Sequence, residues 1–236
     1  MARQPRFVLP GQAQHIIQRG NNQSIIFAAE EDYQFYLEKL QDACKRFKCK
    51  CHAYVLMNNH IHLLLTPKTE HGIGKLMQSL GRYYVQYFNI KYGRTGSLWE
   101  GRYRAAPIEG KHYLLFCYRY IELNPVRADL VTHPSKYQWS SYHYNAMGRS
   151  DDILSPHAQY LRLGLDKSER HKSYRKLFRQ HLSKKILQEI RNATNKGWVL
   201  GSDRYKRKIE KLTQRQASPK SRGGDRRSKA FRMDRK

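Results

Sequence analysis

The chain has 236 residues and carries 45 Lys and Arg against 19 Asp and Glu, a formal net charge of +26. This length allows one domain with an appendage or two small domains. The charge indicates a polyanionic partner, because each neutralised phosphate releases counterions. No apolar run has the length of a signal peptide or of a bilayer-crossing helix, which argues against a membrane protein and predicts a cytoplasmic one.

Two further features of the composition concern the partner and the compartment. The 17 Tyr, 8 Phe and 3 Trp suit stacking on unpaired bases as well as core packing. The four cysteines, three of them in the stretch CKRFKCKC, form no disulfide framework and lack the paired CxxC spacing of zinc sites. We therefore expect a nucleic-acid-binding protein with reduced thiols.

The first part of the chain has the patterns of a strand, a helix and a hairpin. Weak alternation over 13–19 ends in Gly-Asn-Asn and predicts a strand. The stretch AEEDYQFYLEKLQDACKRF begins with acidic residues, ends with basic ones and has apolar residues at helical spacing, which predicts a helix. The runs CHAYVLM and HIHLLLTP follow, separated only by Asn58 and Asn59, which have the length and residue type of a tight hairpin turn.

A second helix, a strand and a third helix come next. Residues 72–91 have helical periodicity, GRTGSLWEGRYRAAPI reads as a loop that leads into a strand, and GKHYLLFCYRYIELNPVRADLV begins as a helix. This helix should end near Asn124, because helical geometry is disfavoured for the residue before Pro125. The order of elements predicts an α+β fold with a mostly antiparallel sheet and helices on one face.

The pattern changes after the third helix. A turn-rich aromatic segment precedes two helical stretches at about 168–182 and 183–195. The segment 203–236 is strongly basic, and its last part, SPKSRGGDRRSKAFRMDRK, has too few apolar residues to build a core. These changes predict a main domain over 1–145, a helical extension over 146–202 and, after it, a partly disordered basic tail that holds nucleic acid by charge.

His60 and His62 are the first candidates for a site. Side chains alternate along a strand, so the two imidazoles point to one face. Two neutral imidazoles can chelate a divalent cation, although a structural histidine is the commoner case on a strand. A catalytic metal needs further ligands. Tyr120 and Asn124, at i and i+4, share one helical face and are candidates, while Glu122 lies on another face.

A metal beside a tyrosine has a defined chemistry on DNA. The cation polarises a non-bridging oxygen of a phosphodiester and the phenolate attacks phosphorus, which gives a phosphotyrosine. This linkage conserves the energy of the broken bond, so a later 3′-hydroxyl can rejoin the strands without ATP. The residues are thus compatible with strand transfer, and also with a non-catalytic nucleic-acid-binding module in which they are structural.

Four motifs resemble those of one family. HIIQRGNNQSIIF, YVLMNNHIHLLLTP, GSLWEGRYRAAPI and YRYIELNPVRADLV occur in the order expected for the REP-associated tyrosine transposases. These are relatives of the single-tyrosine transposases of small insertion sequences, and both groups belong to the HUH endonucleases. The resemblance covers about residues 6–145, and the order of its motifs argues against a relaxase or a rolling-circle initiator.

The resemblance implies a ferredoxin-like or RRM-like fold. It also implies a metal-dependent endonuclease that cleaves and rejoins single-stranded DNA at palindromic hairpins through a 5′-phosphotyrosine. It makes Tyr120 the nucleophile and His60 and His62 the ligands of Mg²⁺ or Mn²⁺, with Asn124 as third ligand and Glu122 as its competitor. Relatives are monomers or homodimers.

Charge and placement add candidates for DNA binding. They lie at the amino terminus, after the first strand, and in or after the second helix. We expect flanking bases to be bound by Arg3, Arg6, Arg19 and Asn21, and the hairpin by Arg82, Lys91, Arg94, Arg102 and Arg104.

Overall fold

The structure is a computed structural model that describes residues 6–7 and 9–219. Its centre is a four-stranded antiparallel sheet in the order β2-β3-β1-β4. The strands are β1 (Gln14–Arg19), β2 (Cys49–Met57), β3 (His60–Pro67) and β4 (Arg104–Pro107). The helices are α1 (Glu30–Arg46), α2 (Gly72–Lys91), α3 (Leu114–Glu122), α4 (Asn124–Arg127), α5 (Tyr142–Met147), α6 (Ala158–Leu161), α7 (Lys167–Leu177), α8 (Lys184–Lys196) and α9 (Asp203–Thr213). The order β1-α1-β2-β3-α2-β4 is that of a ferredoxin-like fold, which confirms the predicted fold class.

Alternation along the strands decides which side chains reach each face of the sheet. In β3, Ile61 is fully buried in a core on the first face, so His60 and His62 lie on the second face. The predicted hairpin is confirmed, because Met57 pairs with His60 across a turn made of Asn58–Asn59. The turn therefore sets the register that aims both imidazoles at the second face.

Helices α1 and α2 cover the first face. Both were predicted from periodicity, and α2 has the predicted bounds. Their buried side chains, among them Tyr36, Leu40, Leu80 and Tyr84, pack against Ile16 of β1 in one core. The acidic first turn and basic last turn of α1 complement the helix dipole.

Helices also cover the second face, which adds a layer to the predicted arrangement. There α3 packs with residues of α5, α7 and α8 in a second apolar core. Glu122 of α3 is fully buried and accepts hydrogen bonds from Ser141 Oγ at 2.6 Å, Asn145 Nδ2 at 2.8 Å and Tyr174 Oη at 2.7 Å. This carboxyl group thus ties α3 to the helices that follow it in the chain.

The third helix ends two residues earlier than predicted. Leu123 has a ψ of 1° and interrupts the helix, and α4 restarts at Asn124. Pro125 stands in the first turn of α4, where its missing N–H costs no hydrogen bond. The interruption keeps Asn124 and Arg127 close to the end of α3.

Part of the predicted basic tail is folded. Helix α9 lies at the start of the predicted tail and buries Ile209 in a small third core with Phe7 and Leu9, so this first part of the tail belongs to the fold. Its apolar positions are few and lie among many basic ones, which hides the helical pattern. Residues 220–236 of the predicted tail lie outside the described residues. Within the described part of the chain, no helix has the length and apolar character needed to cross a membrane.

Candidate active site

The second face of the sheet brings the histidine pair and Tyr120 together. The ring centroids of His60 and His62 are 5.1 Å apart, and those of His62 and Tyr120 are 5.7 Å apart. β3 supplies both histidines, and α3 packs on the same face with Tyr120, which is 7% exposed. The fold therefore places a candidate nucleophile beside two candidate metal ligands.

A third histidine, which the sequence patterns did not indicate, completes this cluster. Nε2 of His15 in β1 lies 2.8 Å from Nδ1 of His62, and Nδ1 of His15 lies 2.7 Å from Oγ1 of Thr194 in α8. Because each neutral imidazole has one N–H, His62 can donate to His15 while His15 donates to Thr194. In this arrangement the Nε2 lone pair of His62 is available to a metal ion, as in histidine ligands that are held by a second hydrogen bond.

Burial keeps the three histidines neutral. It lowers the pKa of His15 to about 3, and the positive charge of Arg127 adds to the effect. It lowers the pKa of His60 to about 4 and that of His62 well below its ordinary value. Neutral imidazoles offer the lone pairs that metal coordination requires.

The side chains around the pair fit a hard divalent ion. His60 hydrogen bonds through Nδ1 to Oδ1 of Asn59 at 2.6 Å, and its side chain also hydrogen bonds to that of Asn124. Asn124 is therefore beside the pair, whereas the hydrogen bonds of Glu122 hold it in the second core and exclude it as a ligand. Among the described residues, no group of three or more His, Cys, Asp or Glu could hold a metal ion. Two imidazoles and an amide suit an ion that keeps positions for water and substrate oxygens.

A small cavity of about 70 Å³ lies beside Tyr120. Its wall combines His62 with two cationic side chains, Arg19 of β1 and Arg191 of α8. A positively charged cavity that adjoins a phenol is suited to a phosphate group.

A wider cleft of about 760 Å³ is lined by α2, β1 and the segment that precedes β4. Three predicted DNA-binding residues, Arg6, Arg82 and Arg102, line it together with Trp99 and Tyr103. We call it the basic cleft. Cationic side chains interleaved with aromatic rings are typical of sites for unpaired nucleotides.

A third, smaller cavity of about 30 Å³ shares lining residues with both of these spaces. Arg19, Arg102, Arg104 and Asn195 are among its lining residues. Arg19 and Asn195 also line the cavity at Tyr120, and Arg102 also lines the basic cleft. A row of cationic side chains thus extends from Tyr120 to the basic cleft.

Three other predicted DNA-binding residues, Lys91, Arg94 and Asn21, line none of these cavities. The Lys91 ammonium lies 2.8 Å from the buried carboxylate of Asp32 and joins α2 to α1, so the structure does not support Lys91 as a hairpin contact. Arg94 follows the end of α2, and Asn21 is exposed just after β1. Arg3 lies outside the described residues.

Some residues of the site have no sequence pattern that assigns them to it. His15 begins the first quoted motif, but no spacing relates it to the pair in β3. Arg191 and Thr194 belong to a helix whose periodicity indicates only an amphipathic face. Arg127, three residues after Asn124, was part of a quoted motif, and that was its only signal.

Comparison with known families agrees with this geometry. Residues 11–124 match the sequence profile described as "Transposase IS200 like". Thr194 and Arg191 lie outside the matched stretch, so two residues of the candidate site come from the extension. No curated protein sequence matches the chain.

Solved structures are similar to part of this chain. A REP-associated tyrosine transposase bound to a REP hairpin is 19% identical, with a TM-score of 0.51 over 66% of this chain and 93% of that one. A candidate transposase from Deinococcus radiodurans R1 is 16% identical, with a TM-score of 0.36 over 55% of this chain and 92% of that one. The first structure confirms the fold. Together with the family match it confirms the resemblance to REP-associated tyrosine transposases.

Proposed function

We propose that the protein is a metal-dependent, single-tyrosine DNA transposase that cleaves and rejoins single-stranded DNA at palindromic hairpins. The observation that carries the proposal is the position of Tyr120, whose ring lies 5.7 Å from that of His62 on the face that also holds His60. A nucleophile beside neutral imidazoles, with a cationic cavity next to it, has the parts that phosphodiester transfer requires.

The metal would be held by His60, His62 and the amide oxygen of Asn124. When bound there, Mg²⁺ or Mn²⁺ supplies polarisation of a non-bridging phosphate oxygen. His15 and Asn59 occupy the Nδ1 atoms of His62 and His60, and so orient the two rings.

Tyr120 performs the transfer. Its Oη–P bond forms, the P–O3′ bond breaks, and the proton lost by the phenol balances the proton gained by the leaving 3′ oxygen. The 5′-phosphotyrosine retains the energy of the broken diester, so a 3′-hydroxyl can attack it and rejoin the strands. Burial of Tyr120 limits the access of water, which favours rejoining over hydrolysis.

The DNA partner would be single-stranded DNA with a hairpin. Support comes from the net charge of +26 and from the row of arginines that leads from Tyr120 to the basic cleft. The structurally similar transposase named above was solved with a REP hairpin. We propose that the unpaired strand beside the hairpin occupies the basic cleft, with bases against Trp99 and Tyr103.

A covalent adduct tests the proposal. The protein is incubated with Mg²⁺ or Mn²⁺ and labelled single-stranded hairpin oligonucleotides, and protein-bound label is measured on a denaturing gel. Tyr120→Phe should abolish the adduct without changing affinity, and His60→Ala should do so by weakening metal binding. A binding module would bind the hairpins and give no adduct, and an adduct that persists in Tyr120→Phe would refute the assignment of the nucleophile.

A further inference from the structure

Arg127 lies against Tyr120 and has no role in the mechanism proposed above. Its Cζ lies 4.3 Å from the centroid of the Tyr120 ring, and its Nη2 donates to the Tyr120 carbonyl oxygen at 2.8 Å. Its Nη1 is buried and has no hydrogen-bond partner among the described residues. The guanidinium also lies close enough to the Tyr120 hydroxyl for the two groups to interact electrostatically. One donor of a buried cation is thus left for a ligand.

Two more arginines surround the same phenol. Arg19 and Arg191 line the cavity at Tyr120, and Arg191 is close enough to repel Arg127. None of the three forms an ion pair within the described part of the chain. Repulsion between Arg191 and Arg127 raises the free energy of the empty site, and a bound anion would lower it.

A purely structural role explains only part of this arrangement. Bracing the end of α3 accounts for the bond from Nη2 of Arg127 to the Tyr120 carbonyl oxygen. It does not account for the buried Nη1 or for the two further cations, which come from β1 and α8. A buried donor without a partner destabilises the empty site, and a transferred phosphate that accepts from it would relieve this.

We infer that Arg127 is a catalytic residue that binds the scissile phosphate, flanked by Arg19 and Arg191. This inference rests on the proposed function. Its Nη1 would donate to a non-bridging oxygen as Tyr120 attacks, when negative charge on the transferred group is greatest. The guanidinium is fixed by the Tyr120 carbonyl and ring, so it needs no reorganisation at that moment.

The first measurement is the rate of adduct formation in a single turnover, with a labelled hairpin oligonucleotide and Mn²⁺. Arg127→Met should lower this rate about 100-fold, as expected when one donor to a developing charge is lost. The rate of Arg127→Lys should lie between those of wild type and Arg127→Met, because lysine keeps the positive charge but not the forked pair of donors. Arg162→Met removes an exposed arginine that lines none of the cavities described above and serves as the control, with an unchanged rate expected.

The second measurement separates phosphate binding from structural support. In a Tyr120→Phe background that cannot cleave, a neutral methylphosphonate at the mapped cleavage position should weaken binding about tenfold. Adding Arg127→Met should make the protein bind the diester and the methylphosphonate equally, because the cation that attracts the charged phosphate is gone. If Arg127→Met fails to fold, Arg191→Gln, at an exposed position, should give the same pattern with a smaller change.

The outcomes distinguish the two proposals. If wild-type protein forms no adduct with any hairpin, the proposed function fails and the inference fails with it. If wild-type protein forms the adduct and folded Arg127→Met forms it at the same rate, only the inference is overturned. The inference is likewise refuted if the methylphosphonate weakens binding equally with and without Arg127.

Discussion

Nε2 of His15 lies 2.8 Å from Nδ1 of His62, so two buried imidazoles on neighbouring strands share one hydrogen bond. Thr194 Oγ1 continues the chain at 2.7 Å from the other nitrogen of His15. A helix of the extension thereby reaches a candidate metal ligand through one intervening ring. The extension and the site are coupled by two hydrogen bonds.

Removing the hydrogen bonds that link His62, His15 and Thr194 should weaken metal binding. We expect His15→Phe, which keeps a ring but no acceptor, to weaken Mn²⁺ affinity about tenfold, since partners that orient histidine ligands are typically worth this much. His15→Gln, which restores an acceptor for the Nδ1–H of His62, should recover part of the affinity. Free Mn²⁺ measured by paramagnetic resonance in the absence of DNA gives the dissociation constant.

Thr194 provides a matched pair for the same chain. Thr194→Ser keeps the hydroxyl and should bind Mn²⁺ like wild type, while Thr194→Val keeps the shape and should bind it more weakly. Equal affinities in His15→Phe and wild type would show that the His15 bond does not position His62.

Glu122 should make stability depend on pH. Burial raises the pKa of Glu122 to about 7 from an ordinary value of 4.5. Because the folded state holds this proton more tightly, the contribution to the free energy of unfolding is complete below pH 4.5 and is lost as the pH rises through 7. The loss is on the order of 3 kcal/mol at most. Glu122→Gln cannot ionise and should lack this loss.

Urea unfolding at pH 5 and pH 8 measures the effect. Wild type should lose more stability between these pH values than Glu122→Gln, and Glu70→Gln, at an exposed position, should behave like wild type. Parallel losses in wild type and Glu122→Gln would mean that Glu122 is ionised in the folded protein throughout this range.

Lys91 should matter for stability and not for DNA binding. Its ammonium is held at 2.8 Å by the buried carboxylate of Asp32, a bond that joins α2 to α1. Lys91→Met should therefore lower the midpoint of thermal unfolding and leave the salt dependence of hairpin binding unchanged. Arg102→Met, in the basic cleft, should reduce the slope of log K against log salt by about 0.7, the value for one phosphate on a single strand. A reduced slope in Lys91→Met would restore Lys91 as a phosphate contact.

The basic segment at the carboxyl terminus should contribute to affinity through charge. Deletion of 220–236 leaves Ala217 in the third core, and it removes many more basic than acidic residues. We expect weaker hairpin binding and a salt slope reduced by at least about 0.7. A variant of full length, with Gln at each Lys and Arg of this segment, should match the deletion. A slope equal to wild type in both would show that the segment does not contact phosphates.

The sequence by itself determined the sheet, its first layer of helices and the aim of the histidine pair. Alternation, helical periodicity and a two-residue turn are local signals, and Asn58 and Asn59 fix the register of His60 and His62 whatever covers them. The predicted proximity of Tyr120 and Asn124 is also observed, although the helix is interrupted at Leu123. Nδ2 of Asn124 donates a hydrogen bond to the Tyr120 carbonyl oxygen at 3.4 Å.

Only the tertiary structure decided what surrounds these residues. His15, Tyr120 and Thr194 lie far apart in the chain, and their contacts depend on how α3 and α8 pack on the second face, which no local pattern encodes. Helical spacing already placed Glu122 on a different face from Tyr120, but only the packing of α5 and α7 showed that its carboxyl group lies in a buried hydrogen-bond network. Net charge predicted a polyanionic partner, but it could not show that Asp32 engages Lys91, because pairing of charges is a property of the folded chain.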